Sequence, residues 1–164
     1  GDAWFNTGDL MRDQGYLHAQ FVDRLGDTYR WKGENVSTTE VENCISSFPS
    51  ILDAVVYGVE IPNTNGRAGM ANIRLMDGVE FDPVEFYQHL NKQLPAFSVP
   101  VFLRLSQKMD TTGTFKYKKT DLKKAGFDLA KAQDPVWVCL PNEACYQLMD
   151  KQLQAKIEQG EFRY

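Results

Sequence analysis

The sequence predicts an α+β domain, and three observations lead there. Runs such as ILDAVVYGVEI and VFLRL are β-branched and dense enough for strands. Two segments open with capped helix starts followed by apolar residues at helical spacing. Strands return through short turns as antiparallel hairpins rather than alternating strictly with helices, so the layers form a small central sheet flanked by helices.

Taken in order, residues 1–35 are rich in turns. DQGYL and FVDRLGDTYRWKG, punctuated by Gly and Asp, predict two small hairpins. The first helix follows, with Ser37 as N-cap and Glu40 three residues on, a capping-box pattern. Val41, Cys44, Ile45 and Phe48 then give it one buried face, and Pro49 stops it. ILDAVVYGVEI reads as a central strand closed by the turn PNTNGRAG, and MANIRLM as its antiparallel partner. A second helix starts at Asp82 as N-cap with Pro83 at the first helical position, and Glu85 placed to close the box. Its apolar face is predicted from Val84, Tyr87, Leu90 and Leu94. PAFSVP is expected to be a rigid extended connector and VFLRL another strand. TTGTFKYKK is expected to be a turn followed by a strand, with TDLKKAG a short helix ended by Gly126. The remainder predicts a strand, a turn and an amphipathic helix carrying Met149, Leu153 and Ile157.

Composition narrows the function classes. The chain has 164 residues, 43% apolar and 24% charged, which is globular rather than disordered composition. A net charge of −4 argues against a duplex-binding domain, although residues 116–124 hold five lysines. Cys44, Cys139 and Cys145 are odd in number and lack C-x-x-C spacing, which argues against a disulfide framework or zinc site and fits a reducing compartment. His18 and His89 have no ligand-like neighbours, so no metal site is expected. No apolar run approaches ~18 residues, so no membrane span is expected. No signal peptide is read at the start, and GDAWFNTGDL reads as the interior of a longer chain.

Three stretches could carry chemistry, and each has a plain alternative. WFNTGD ends in a Gly-Asp pair that could be an ordinary turn, or could present a carboxylate to paired hydroxyls. DRLGDTYRWKGENVSTTEVE could be a solvated surface hairpin. It could also use Gly33 as a permissive point for close backbone approach to a ligand, with Arg24 as a planar fork for oxygens. TTGTFKYKK could be a soluble strand edge or could carry a catalytic cation.

In that order, WFNTGDL, DRLGDTYRWKGENVSTTEVE and TTGTFKYKKTDLKKAG resemble the last motifs of the adenylate-forming enzymes, the acyl-CoA synthetase, acetyl-CoA synthetase and luciferase-like group. RWKGENVSTTEVE and GTFKYKK are most similar to the very-long-chain acyl-CoA synthetase and fatty acid transport protein branch. The resemblance covers almost the whole chain, including the closing GEFRY. It implies the small C-terminal domain of an AMP-forming fatty acid–CoA ligase. Residues 1–25 would be the end of a large N-terminal adenylation domain and the approach to a hinge. Residues 26–126 would be the mobile C-terminal domain, and residues 127–164 an extension packed on it.

What the resemblance implies for chemistry follows residue by residue. A fatty acid and ATP give an acyl-adenylate and pyrophosphate, the small domain rotates, and the thiol of CoA displaces AMP. Asp9 matches the aspartate that holds both ribose hydroxyls, a bidentate use that suits a carboxylate. Arg24 matches an arginine that also contacts the ribose. Gly26 stands at the hinge position, where the family usually has Asp or Lys; glycine can absorb a large backbone change there. Lys32, Gly33 and Glu34 match the loop that lines the pantetheine tunnel after rotation. In the lysine motif, Gly113 is followed by Thr114 and Phe115, so Lys116 is the candidate adenylation lysine. In a strand it would sit two residues, roughly 6–7 Å, beyond the usual position. The expected ligands are ATP or AMP, CoA and a fatty acid, with Mg2+ bound outside this chain. The expected partner is the N-terminal adenylation domain, with no nucleic acid, and the expected location is cytoplasmic, at the cytosolic face of a membrane through peripheral association. Fatty acid transport or interaction is the alternative primary role. The chain alone is expected to fold without turning over substrate.

Overall fold

The computed structural model describes residues 9–13, 19–24, 28–106 and 115–164, with side chains over 28–106 and 119–164. Two antiparallel hairpins come first, as the turn-rich opening predicts. Strand β1 (Asp9–Asp13) pairs with β2 (Ala19–Arg24), and β3 (Thr28–Trp31) with β4 (Glu34–Ser37). Helix α1 (Thr38–Ser46) begins at Ser37, whose Oγ accepts the Glu40 N–H at 3.4 Å. Val41, Cys44, Ile45 and Phe48 are all buried, so the predicted face is the one that packs.

Strands β5 (Ile51–Val59) and β6 (Ala68–Leu75) pair antiparallel and head a five-stranded sheet. Helix α2 (Pro83–Gln93) then crosses over, and β7 (Phe102–Leu105) returns parallel to β6, a pairing that needs such a crossover. Asp82 caps α2 by accepting the Val84 and Glu85 N–H groups, both at 3.0 Å. The face of α2 differs from expectation. Val84 is 47% exposed, whereas Phe86 and Leu90 are fully buried with Leu94 below them. Residues 86, 90 and 94 stack every fourth position along one helix face, and Val84 lies off that row. PAFSVP is also not extended throughout, because Ala96–Ser98 form a 3₁₀ turn.

The lysine motif differs most. Phe115–Ala125 form helix α3, not a strand. Alternation over five residues is too short to separate a strand from a helix end, and KKTDLKKA is good helix-forming sequence that carries the helix back through residues 115–118. Positions 116 and 118 share a face of a strand but not of a helix. A short helix α4 (Leu129–Ala132), capped by Asp128, was not foreseen. Strands β8 (Val136–Val138) and β9 (Gln147–Leu148) complete the sheet in the order β5-β6-β7-β8-β9, and α5 (Lys151–Glu158) follows with Asp150 as its cap. Ile157 of α5 and Met149 before it are buried, and Leu153 packs partly buried against the core.

Ala68 to Ile73 of β6 are buried without interruption, as are Val55 to Val59 of β5. Consecutive burial in a strand requires cover on both faces. One cover is α1, which packs along β5, where Glu42 also accepts the Val56 N–H at 2.9 Å. Another is the β3–β4 hairpin, whose Tyr29 lies over the paired glycines Gly58 and Gly69. Phe127 stacks flat on Phe102 at 4.5 Å between ring centres, which seats the turn after α3 against β7.

Candidate functional site

The candidate residues fall into three groups. Asp9 opens β1 and Arg24 closes β2, and the two are register partners across the first hairpin. Directly opposed positions in an antiparallel pair lie about 4.5–5.5 Å apart between Cα atoms, so two residues distant in sequence become neighbours. Gly26, with Thr114 and the start of the lysine motif, lies outside the described residues. Lys116 is the second residue of α3.

The third group is the best defined. Lys32 and Gly33 are the two-residue turn between β3 and β4, with φ of 52° and 79°. Positive φ at both central residues is what a type I′ hairpin turn demands, because its twist matches that of the strands. Gly33 takes that conformation without cost, but Lys32 does not, since a side chain there crowds the following carbonyl. Asparagine would be the ordinary choice at position 32. The Arg30 guanidinium donates to the Gly33 carbonyl at 3.3 Å and ties the turn to its own strand. Lys32, Gly33 and Glu34 are all exposed, and a Cβ built on Gly33 would meet no atom within 4 Å.

Beneath this open tip the hairpin is firmly seated. Trp31 is only 3% exposed and Val36 1%. Trp31 bridges to Gly66, and Arg67 donates its N–H to the Arg30 carbonyl at 2.7 Å. A Cβ at Gly66 would fall 2.3 Å from the Arg30 oxygen, so only glycine permits this approach. The Lys32 ammonium lies 5.9 Å from the centre of the Trp31 ring, within cation–π range. Burial pushes the Tyr29 hydroxyl well above the usual phenol range, and burial, followed by the neighbouring Cys139, does the same to Tyr164. These phenols are neutral packing groups rather than acids or bases. Burial, with smaller contributions from Cys145 and Glu143, raises the Cys139 thiol to about 11, which removes it as a nucleophile near neutrality.

A separate cleft of about 630 Å³ opens between the β5–β6 loop and the C-terminal end of α3. Arg67, Lys123, Lys124 and Lys131 share its walls with Glu60, Asp128 and Glu158. Arg67 pairs with Glu60 at 3.7 Å and Lys131 with Asp128 at 4.0 Å, so the cleft is lined by both signs of charge. Lys32, Gly33 and Glu34 do not line it. The sequence signalled the turn tip through its glycine. It gave no sign of Trp31 as the buried base or of the Gly66 contact, which depend on a loop some thirty residues away. Among the described residues, no three His, Cys, Asp or Glu side chains are grouped to hold a metal ion. No helix among them is long and apolar enough to cross a membrane.

Comparisons with known proteins agree on one group. A family model described as the AMP-binding enzyme C-terminal domain matches residues 40–116. The chain is 49% identical over 138 residues to the medium/long-chain-fatty-acid–CoA ligase FadD6 of Mycobacterium tuberculosis, covering 84% of this chain and 23% of that one. It is 47% identical over 137 residues to long-chain fatty acid transport protein 6 of Mus musculus, covering 84% and 22%. The chain thus spans about a quarter of the length of these relatives. In structure it resembles coronafacic acid ligase from Pectobacterium brasiliense, with a TM-score of 0.67 and 22% identity over 84% of this chain and 26% of that one.

Proposed function

This chain belongs to the AMP-binding enzyme C-terminal domain family, and on that premise we propose that it serves an ATP-dependent, AMP-forming fatty acid–CoA ligase acting on long or very long chains. The reaction joins fatty acid, ATP and CoA into acyl-CoA, AMP and pyrophosphate. In its first half, the fatty acid carboxylate attacks the α-phosphate and expels pyrophosphate. In its second, the CoA thiol attacks the acyl carbon and expels AMP.

The observation that carries this reading is the tip of the second hairpin. Lys32 and Gly33 form an exposed turn on a buried base, with open space where a Gly33 side chain would stand. An edge with no side chain at Gly33 is what a narrow thiol arm needs to pass against backbone. The strained φ at Lys32 supports it, because natural chains tolerate such cost mainly at functional positions. We assign Lys32, Gly33 and Glu34 to the CoA passage.

The register pairing of Asp9 with Arg24 supports their assignment to the ribose of the nucleotide. The carboxylate accepts from both hydroxyls, and the guanidinium donates to their oxygens. Gly26 is proposed as the hinge. Lys116 is proposed as the cation that stabilises charge developing between carboxylate and α-phosphate. It stands as the second residue of helix α3, where the rise is about 1.5 Å per residue rather than a strand's ~3.3 Å. ATP, CoA and fatty acid would be handled together with a large N-terminal adenylation domain, and no residue of this chain is assigned to Mg2+. Residues 1–25 would complete that larger domain, 26–126 the moving one, and 127–164 its extension.

A second reading makes fatty acid transport the primary role, at the cytosolic face of a membrane through peripheral contact. It draws on relatives named as fatty acid transport proteins. The two separate in full-length protein carrying Lys116→Ala or Asp9→Ala, assayed for adenylate formation and, with supplied acyl-adenylate, for thioester formation. Loss of the first step alone in Lys116→Ala, and of both steps in Asp9→Ala because the acyl-adenylate carries the same ribose, supports the ligase reading; an unchanged first step in both variants defeats it.

A further inference from the structure

Helix α5 ends in a full Schellman arrangement that sends the chain back toward the second hairpin. Gly160 sits at φ 76° with its N–H on the Ile157 carbonyl at 3.1 Å, and Glu161 donates to the Lys156 carbonyl at 3.1 Å. A Cβ on Gly160 would come within 3.2 Å of the Asn63 side chain, so this turn abuts the loop that also contains Gly66. Phe162 and Tyr164 then pack, partly buried, against the main core. Tyr164 reaches Trp31, with ring centres 6.3 Å apart and planes tilted at 54°.

Trp31 is the last residue of β3 and directly precedes the Lys32–Gly33 turn. Its backbone is therefore fixed by the Gly66 bridge, while its indole lies beside the Lys32 ammonium and the Tyr164 ring. We propose that Tyr164 is a positioning residue for thiol transfer: its ring braces Trp31 and thereby keeps the Lys32–Gly33 tip in register. The inference rests on the reading above that this tip lines the CoA passage. The ring, not the hydroxyl, does the bracing, because the Tyr164 oxygen is buried without a hydrogen-bond partner among the described residues.

The test uses full-length protein carrying Tyr164→Ala or Tyr164→Phe. Two properties are measured: amide hydrogen exchange over residues 28–37, and the two half-reactions separately. An aromatic pair of this kind corresponds to roughly a three- to tenfold effect. Tyr164→Ala should speed exchange in 28–37 and slow thioester formation from acyl-adenylate, each by about that factor, while adenylate formation is unchanged. Tyr164→Phe should match the parent in all three. Unchanged exchange in the alanine variant overturns the brace, and an equal fall in both half-reactions reduces it to a general packing role. Should the alanine variant fail to fold, Tyr164→Leu, which keeps bulk without a ring plane, is read by the same outcomes. A parent enzyme that forms no CoA thioester would refute the reading of the tip, while the exchange measurement would still decide the brace.

Discussion

Gly58 and Gly69 stand opposite each other in β5 and β6, and together they make the slot that receives Tyr29. A Cβ on Gly58 would lie 2.8 Å from the Tyr29 Cβ and 2.9 Å from the Arg67 Cβ. A Cβ on Gly69 would lie 2.3 Å from the Tyr29 hydroxyl and 3.2 Å from the Pro100 Cα. The paired absence of side chains is what lets the second hairpin dock on the sheet, and the docking places the turn tip.

The two glycines should respond differently to substitution. Gly58→Ala meets atoms fixed close to the backbone and should lower stability by about 1–3 kcal/mol, the usual cost of overpacking. Gly69→Ala chiefly meets the far end of Tyr29. Because that hydroxyl is buried without a partner among the described residues, Tyr29→Phe alone should be close to neutral or slightly stabilising. Combined with Gly69→Ala it should recover much of the loss. Denaturation midpoints of the four proteins form a double-mutant cycle, and strict additivity would show that the slot is not formed by this contact.

A second prediction concerns the end of β7. The Arg104 guanidinium reaches the same Asp134 oxygen through Nε at 2.9 Å and Nη2 at 2.8 Å, and Nη2 also donates to the Ala132 carbonyl at 2.6 Å. Next to it the Ser106 hydroxyl donates to Asn72 Oδ1 at 2.6 Å inside the core. Only 15% of the Arg104 side chain and 28% of Asp134 are exposed. Removing the acid leaves a mostly buried cation short of a partner, so Asp134→Ala should cost about 2–4 kcal/mol. Urea melts with an unchanged m-value would report it. A change under about 0.5 kcal/mol would mean that water replaces the carboxylate as readily as at an exposed pair.

What could be read in advance was local. Ser37 with Glu40 and Asp82 with Pro83 are start signals contained within a few residues, and both helices begin there. The β5–β6 hairpin was equally legible from its composition and turn. Phe86 in place of Val84 was not, because which row of α2 faces inward is decided by what the helix packs on: Phe48, Phe81 and Tyr146. The helix at Phe115 was missed because alternating lysines over a few residues fit a strand as well as a helix start. At the site, the glycine of the turn was visible as a motif, whereas its seating through Trp31, Gly66 and Tyr164 joins three distant segments. No local pattern encodes that.

The last prediction separates what Gly33 does for the fold from what it does for chemistry. Its φ of 79° belongs to a region that β-branched residues avoid and asparagine tolerates. If the turn were its whole purpose, Gly33→Asn would serve nearly as well, with a modest backbone cost and no atom within 4 Å of the new Cβ. The proposed CoA passage demands more: any side chain at this point narrows the path of the thiol arm. In full-length protein, Gly33→Asn should therefore lose no more than about 1 kcal/mol of stability and keep the parent's rate of adenylate formation. Thioester formation should fall by roughly tenfold or more, because small displacements of a reacting group are that costly. Gly33→Val should combine the same block with a loss of about 1–2 kcal/mol from backbone strain. Gly33→Leu should also spare adenylate formation while closing the passage. A Gly33→Asn enzyme that forms thioester at the parent rate would show that the glycine serves only the turn, and the assignment of the tip to CoA would fall with it.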